Sequence, residues 1–176
     1  MEKPIINWAY LIHLGFKMWP YWSDRWNGLI WQEGPNMNVP DILLCEKHTW
    51  NEIVMLLRNA GCNMLIIDIG EGIQFDSHPE LAIKGSWSKD DMKRELDKLR
   101  SMGITPVPKL NFSAGHNEWM GCYERMVSTP VYYEVVSDVI REVGKLFGGT
   151  GYFHIGMDEE KDRPLEYVVI RKYDLW

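Results

Sequence analysis

An acidic cluster around residue 158 holds the densest group of side chains with catalytic potential in this sequence. His154, Gly156 and Asp158 alternate at the end of an apolar run, so they would share one face of a β-strand, and Glu159 follows directly. Two adjacent carboxylates in a partly dry pocket cannot both ionise easily, which raises the pKa of one and yields a general acid. The pattern therefore predicts proton-transfer chemistry, with a solvent-exposed acidic loop as the alternative.

Polar side chains also follow the other apolar runs. His13 and Lys17 end the first run, Asp68 ends the second, and Asn111 ends the third with His116 shortly after it. The carboxyl ends of parallel strands meet at one edge of a sheet, where active sites gather, so these residues are expected near His154. His116 and His154 fit a pocket role and a structural role equally well. Structural roles are expected for the remaining histidines: His13, His48 and His78.

The elements that must position these residues alternate between strands and helices. Nearly continuous apolar runs predict buried parallel strands at 5–14, 63–69, 104–110 and 152–156. Three helices are predicted between them, the first beginning at Thr49 with Glu52 as a capping box, the second at Ser88 and the third at Thr129. In the first helix the side chains expected to face the core are Ile53, Leu56, Leu57 and Ala60. This order predicts an α/β fold with a parallel sheet.

The connections between the predicted elements are strongly asymmetric. Helix-to-strand links are short, whereas the strand-to-helix links at 15–48, 70–87 and 111–128 are long. Long loops within a compact domain are usually functional, and all of these leave the carboxyl ends of the strands. No dinucleotide fingerprint or phosphate loop follows a strand, so no cofactor is expected.

The composition narrows the possible partners and compartments. The 176 residues include 19 basic and 25 acidic side chains, and a net charge of −6 argues against a nucleic-acid partner. No apolar run reaches the roughly 18 residues of a membrane span, and no signal peptide is recognisable, so a soluble protein of undefined compartment is expected. Three cysteines without CxxC spacing indicate reduced thiols: Cys45, Cys62 and Cys122.

Segment 154–159 (HIGMDE) resembles the HxGGDE segment of glycoside hydrolase family 20, the β-N-acetylhexosaminidases, with Met157 in place of the second glycine. Residues 78–91 and 103–108 are similar to the second-helix and third-strand region of that family, and His116 matches its PGH step. The resemblance covers roughly residues 60–160.

The resemblance implies a hydrolase that cleaves terminal N-acetylhexosamine residues from an N-acetylated glycan. In the family, the glutamate of the acidic pair protonates the glycosidic oxygen, while the aspartate orients the 2-acetamido group, whose carbonyl oxygen attacks the anomeric carbon. By position, Glu159 would be the general acid and Asp158 the orienting residue, with no metal and no cofactor. The substrate-binding residues expected are His116, His154, Trp119, Asp68, Asn111 and Trp19.

Trp19 belongs to a tryptophan-rich loop that follows the first predicted strand. Aromatic faces stack on the apolar faces of pyranose rings, so this loop is a candidate sugar platform. The alternative is that its indoles pack the loop onto the sheet. Trp119, close to His116, is expected to line the pocket.

Two strands depart from the family's pattern. The family's first strand delivers an arginine to the sugar hydroxyls, whereas residues 14–19 read LGFKMW; its third strand carries PEID, whereas residues 108–111 read PKLN. The sugar hydroxyls must therefore be bound in a different way from that of the family. Pro106 and Pro108 also remove two backbone donors from the third strand.

A complete (β/α)8 barrel takes about 200–250 residues. Residues 1–176 are therefore expected to form one partial, C-terminally truncated catalytic domain, the first four strands of a TIM-type (β/α)8 barrel. A second chain, self-association or residues beyond these 176 would complete the barrel. The alternatives are an inactive carbohydrate-binding barrel and a metal-dependent hydrolase that uses His116, His154 and Asp158.

Overall fold

A parallel sheet forms the centre of the chain, for which the computed structural model describes residues 6–15, 42–113, 116–124, 126–149 and 151–157. Within those residues the sheet has the strand order β1 (Ala9–His13), β2 (Met64–Asp68) and β3 (Thr105–Lys109). Both strand pairs are parallel.

Three helices alternate with these strands: α1 (Lys47–Asn59), α2 (Lys89–Ser101) and α3 (Pro130–Leu146). The loops after β2 and β3 contain short 3-10 helices at Gly70–Gly72, Pro79–Leu81 and Glu118–Tyr123. Parallel strands that alternate with helices confirm the predicted α/β class. None of the described helices is long and apolar enough to cross a membrane.

The predicted helix starts are confirmed for α2 and α3. The Ser88 side chain accepts a hydrogen bond from the backbone N–H of Asp91, and the Thr129 side chain accepts one from Tyr132. The prediction for α1 is wrong, because this helix begins two residues before Thr49. The N–H of Trp50 already donates to the carbonyl of Glu46 at 2.9 Å, so that amide does not need a side-chain cap.

The hydrophobic core lies between the helices and one face of the sheet. Leu65 and Ile67, which share one face of β2, are completely buried there, as are Met92, Leu96 and Leu99 of α2. In α3 the buried side chains are Tyr132, Val135, Val139 and Val143.

The predicted buried face of α1 is wrong for two of its four residues, while Ile53 and Leu57 do pack against the core. Trp50 and Val54 are fully buried, Ile53 and Leu57 are half-buried, and Leu56 and Ala60 are exposed. The orientation follows from Trp50, whose ring meets Trp87 edge-on at 5.1 Å and whose Nε1 donates to Glu95 Oε2 at 2.9 Å. A large indole with a hydrogen-bond partner on α2 outweighs the aliphatic pattern of α1.

The predicted fourth strand at 152–156 is shorter than expected. Residue His154 forms a single parallel bridge with Lys109, and no regular strand is assigned to this segment. Backbone N–H groups point alternately to the two neighbours of a strand. The N–H of Thr105 donates toward β2 and that of Leu110 donates to His154, so the backbone nitrogens of Pro106 and Pro108 face the fourth segment. Because proline has no N–H, pairing there is confined to the end of β3.

Candidate functional site

A row of four polar residues crosses the sheet at its carboxyl edge. His13 is in register with Asp68, Asp68 with Lys109, and Lys109 with His154. In β2, Asp68 alternates with Leu65 and Ile67, so the row lies on the face opposite the helices. We call these residues, His13, Asp68, Lys109 and His154, the polar row.

Asp68 links three members of the polar row. Its Oδ2 lies 3.1 Å from Nδ1 of His13 and 3.1 Å from Nζ of Lys109. The side chain of Asp68 is 0% exposed and that of Lys109 is 6% exposed, so the two charges form a buried ion pair. Removing such charges from water is costly, and their mutual attraction offsets that cost only while both partners are present. The second oxygen, Oδ1, has no hydrogen-bond partner among the described residues.

The two histidines at the ends of the row have opposite hydrogen-bonding roles. The side chain of His13 is 27% exposed, and its Nδ1 faces the Asp68 carboxylate, which can only accept. The neutral ring of His13 therefore carries its proton on Nδ1. Nδ1 of half-buried His154 instead accepts from the N–H of Gly156 at 3.0 Å, so the neutral ring of His154 carries its proton on Nε2.

Small residues lie two positions beyond the polar row on three of the four segments: Gly15, Gly70 and Gly156. Gly156 has a φ of +58°, and a Cβ there would lie 2.7 Å from the Cα of Asn111. A Cβ at Gly15 would lie 2.7 Å from a carboxylate oxygen of Glu71, which is itself 1% exposed. These glycines thus allow Asn111 and a buried acid, Glu71, to pack directly over the polar row.

Asn111 and Trp119 form one buried unit beside the row. Trp119 donates from Nε1 to the carbonyl oxygen of Asn111 at 2.6 Å, and only 2% of the residue is exposed. Its ring packs between Phe75 and Phe112. The packing makes Trp119 a support for Asn111, whereas an open stacking platform needs an uncovered ring face.

His116 lies in the loop that connects β3 to α3. Its N–H donates to the carbonyl of Ser113 at 2.9 Å, and the N–H of Ser113 donates to the carbonyl of Gly156 at 3.1 Å. Both side chains are buried. The loop after β3 is thereby attached to the end of the segment that leads into the acidic pair.

The structure brings several of the predicted site residues together. Asp68, Asn111 and His154 lie at the carboxyl edge of the sheet, while His116 and Trp119 are anchored to the adjoining loop. The remaining predicted residues lie outside the described residues: Asp158, Glu159 and Trp19.

Three residues of this edge have a role that the sequence does not predict. His13 is expected at the edge in a structural role, Lys109 appears only as a departure from a family pattern, and Glu71 is given no role. Position is the signal that could have indicated Lys109, because this residue ends a strand as His13 and Asp68 do. Glu71 offered no comparable signal, since its burial depends on the close approach of Gly15.

A second polar group lies away from the row, beside a cavity of about 330 Å³ between the loops that follow β2 and β3. The hydroxyl of Tyr123 donates to Oε1 of Glu80 at 2.6 Å, and Nδ1 of His78 lies 3.1 Å from the same oxygen. The bond to the Glu80 carboxylate raises the pKa of Tyr123 to about 12, and the same bond lowers the pKa of Glu80. The group joins two loops at the rim of the sheet.

No set of three or more His, Cys, Asp or Glu side chains converges on a possible metal site within the part of the chain that the structure describes. The metal-ligand set considered from the sequence includes Asp158, which lies outside that part.

Comparison with known proteins gives a likeness in fold. Neither a protein-family model nor a curated protein matches the chain. Among solved structures, the chain is similar to a mutant β-hexosaminidase of Streptomyces plicatus in complex with its product, GlcNAc, with a TM-score of 0.56 and 22% sequence identity. The match covers 69% of this chain and 32% of that one, so the matched part is about a third of the hexosaminidase. The chain therefore shares the fold of part of a β-hexosaminidase.

Proposed function

We propose that this chain belongs to a glycosidase that removes terminal N-acetylhexosamine residues from an N-acetylated glycan. The observation that carries the proposal is the pairing of His154 with Lys109 at the carboxyl edge of the sheet, in a fold similar to part of a β-hexosaminidase. This edge is where parallel α/β enzymes place their active sites. The segment that begins at His154 continues directly to Asp158 and Glu159.

In the proposed reaction Glu159 is the general acid and Asp158 orients the acetamido group of the substrate. The acetamido carbonyl oxygen forms a bond to the anomeric carbon while the bond from that carbon to the leaving oxygen breaks, and Glu159 protonates the leaving oxygen. Water then attacks the anomeric carbon of the cyclic intermediate, the bond from that carbon to the acetamido oxygen breaks, and Glu159 accepts a proton from the water. This route retains the anomeric configuration and is an exception to the scheme with a carboxylate nucleophile.

The described residues support this chemistry by their placement. Gly156, packed on Asn111, brings the chain over the carboxyl end of β3 two residues before Asp158. Asp68 and Lys109 supply a buried polar floor. On this proposal Asn111, His116 and His154 belong to the pocket wall, Trp19 belongs to its aromatic part, and Trp119 supports Asn111.

The decisive experiment is Glu159→Gln, assayed with aryl N-acetylhexosaminides. Loss of a general acid is expected to lower kcat by about 10²–10⁴-fold. The loss should be larger for a poor leaving group than for a good one, because only the poor one needs protonation. Glu160→Gln is the matched control, since it removes an adjacent carboxylate and should leave turnover unchanged. Unchanged kcat in Glu159→Gln would refute the assignment.

A carbohydrate-binding protein without hydrolytic activity is the second candidate. The specific observation in its favour is Lys109, which occupies a β3 position where the resembling family has an acid and which forms a buried ion pair instead. Calorimetry with N-acetylated sugars, run beside the turnover assay, distinguishes the two candidates. Binding without turnover in the wild-type protein would favour this second function.

Two expectations from the sequence stay predictions: that residues 1–176 form one partial barrel domain, and that a partner completes the barrel. Large apolar side chains are exposed at Tyr10 of β1, at Trp8 just before β1, and at Tyr152 and Ile155 of the fourth segment. Completion of the barrel by a second chain or by self-association would cover such surfaces.

A further inference from the structure

We propose that His78 is a proton-operated latch between α3 and the loop that connects β2 to α2, residues 69–88. With a proton on both ring nitrogens, His78 binds a carboxylate from each of these elements, and it releases α3 when it loses one proton to solvent. We call the three residues of this contact, His78, Glu80 and Asp138, the latch. The proposal concerns the attachment of a loop and does not depend on the reaction that the chain performs.

Each ring nitrogen of His78 faces a carboxylate from a different element. Nδ1 lies 3.1 Å from Oε1 of Glu80 in the same loop, and Nε2 lies 3.5 Å from Oδ2 of Asp138 on α3. The side chain of His78 is only 14% exposed, and the ring of Tyr123 packs edge-on against it at 5.8 Å. Nε2 itself is buried, so water does not take the place of Asp138 beside it.

The number of protons on the His78 ring determines how many carboxylates it binds. An ionised carboxylate only accepts hydrogen bonds, so each ring nitrogen needs a proton to bind its partner. A neutral imidazole has one N–H, whereas the doubly protonated ring has two. The neutral ring therefore binds Glu80 or Asp138 but not both. Asp138 is the partner released, because its contact with the ring is the longer one.

The groups nearest to His78 keep their charge near pH 6.5, which is about the ordinary pKa of a histidine. The hydroxyl of Tyr123 donates to Glu80 at 2.6 Å, and this bond lowers the pKa of Glu80 and raises that of Tyr123 to about 12. Asp138 forms an ion pair with Arg141 at 2.9 Å. The charged or titratable groups farther from the ring are Asp76, Lys89, Cys122 and Glu142. His78 is thus the member of the latch that changes its charge.

The latch is one of three attachments that hold this loop. Glu142 of α3 accepts hydrogen bonds from the backbone N–H groups of Asp76 and Ser77 at 2.7 and 3.0 Å, and Tyr123 binds Glu80 from the loop after β3. The loops after β2 and β3 also enclose the cavity of about 330 Å³ that Glu80 lines. Release of Asp138 therefore loosens the loop at the rim of that cavity, while the other two attachments keep it on the domain.

An NMR titration of the 176-residue chain from about pH 5 to about pH 9, on both sides of the ordinary histidine pKa, tests the latch. The ring signals of His78 report its proton, and the hydrogen-exchange protection factors of the Asp76 and Ser77 amides report the attachment to α3. Protection should fall about three- to tenfold with the same midpoint as the ring titration, while β2 amides stay unchanged. The fall is modest because the carboxylates of Glu80 and Asp138 are 43% and 33% exposed.

Two variants assign the pH effect to the latch. His78→Gln has no ring to titrate, so the protection of these amides should not fall with pH. In Asp138→Asn the fall should shrink, because an amide can donate to an unprotonated Nε2 as well as accept from a protonated one. His48→Gln is the matched control, since the His48 side chain is 79% exposed on α1, and it should behave as the wild type does. The wild-type titration decides the matter even if a latch variant does not fold.

Four results would overturn the inference. They are a His78 ring with a single proton at about pH 5, a ring whose charge does not change up to about pH 9, protection that stays constant through the ring titration, and a fall that persists in His78→Gln. The proposed function is unaffected by any of them, because the experiment contains no sugar and changes no residue of the acidic pair.

Discussion

Replacing Lys109 with methionine measures how completely the polar row is removed from water. Methionine replaces the aliphatic part of the lysine side chain and removes the ammonium group, which lies 3.1 Å from Asp68 Oδ2. The carboxylate of Asp68 is 0% exposed, so in Lys109→Met it would stay buried with His13 as its one charged or polar neighbour in the row. Breaking one side of a buried pair costs about 3–5 kcal/mol, and this is the expected loss in the free energy of unfolding.

Urea denaturation followed by circular dichroism provides the assay, with Arg141→Met as the control. Arg141 pairs with Asp138 at 2.9 Å, but the two side chains are 60% and 33% exposed, so its removal should cost about 0–1 kcal/mol. In the double variant Asp68→Leu/Lys109→Met both charges are gone. Its stability should lie well above that of Lys109→Met, because an apolar pair needs no desolvation of charge.

A loss below about 1 kcal/mol in Lys109→Met would refute this reasoning, since that is the range of pairs that water reaches. It would mean that Asp68 is solvated once Lys109 is removed. The same result would weaken the argument that Asp68 holds the His13 ring in one tautomer.

Two further predictions concern Gly156 and Tyr123. In Gly156→Ala, a residue with a φ of +58° would carry a Cβ that lies 2.7 Å from the Asn111 Cα. Gly61→Ala is the control, because Gly61 also has a positive φ, +82°, but no atom lies within 4 Å of a Cβ there. In urea denaturation, Gly156→Ala should be about 1–3 kcal/mol less stable than Gly61→Ala. Equal losses in both variants would show that the approach to Asn111 is not tight. Ultraviolet difference titration of the wild-type protein against Tyr123→Phe should show a tyrosine that ionises with a pKa of about 12, because Glu80 stabilises its protonated form. The pKa of an unfolded tyrosine is about 10, so the bond to Glu80 should stabilise the folded protein below pH 10, and this stability should be lost as the pH rises through about 12. If Tyr123 ionised with a pKa near 10, the bond to Glu80 would not have this effect.

Local chemistry made part of the fold predictable from the sequence. The caps at Ser88 and Thr129 depend on residues within three positions, and the structure places both helices where those caps indicate. The orientation of α1 depends instead on the contact between Trp50 and Trp87, which are far apart in the sequence. The extent of the fourth strand depends on which neighbour Pro106 faces, and only the register of the sheet decides that.

The location of the candidate site was predictable from the sequence, whereas the residues that form it were less predictable. Alternation along each strand placed Asp68 and His154 at one edge, as observed. The role of His13 depends on an aspartate 55 residues away, and a single histidine in a sequence does not reveal such a partner. Lys109 was equally obscure, because burial of a lysine is favourable only where a carboxylate meets it.

The two prolines of β3 have a consequence for local opening. Three amides donate to the fourth segment, those of Leu110, Phe112 and Ser113, and the N–H of His154 donates in return to Pro108. Detaching residues 154–156 thus breaks few hydrogen bonds and leaves the helix-covered face of the sheet intact. In hydrogen exchange, these amides should lose protection through a sub-global fluctuation, while those of β2 exchange only when the whole domain unfolds. Residues 154–156, which precede Asp158 and Glu159 in the sequence, can therefore detach independently of the rest of the sheet.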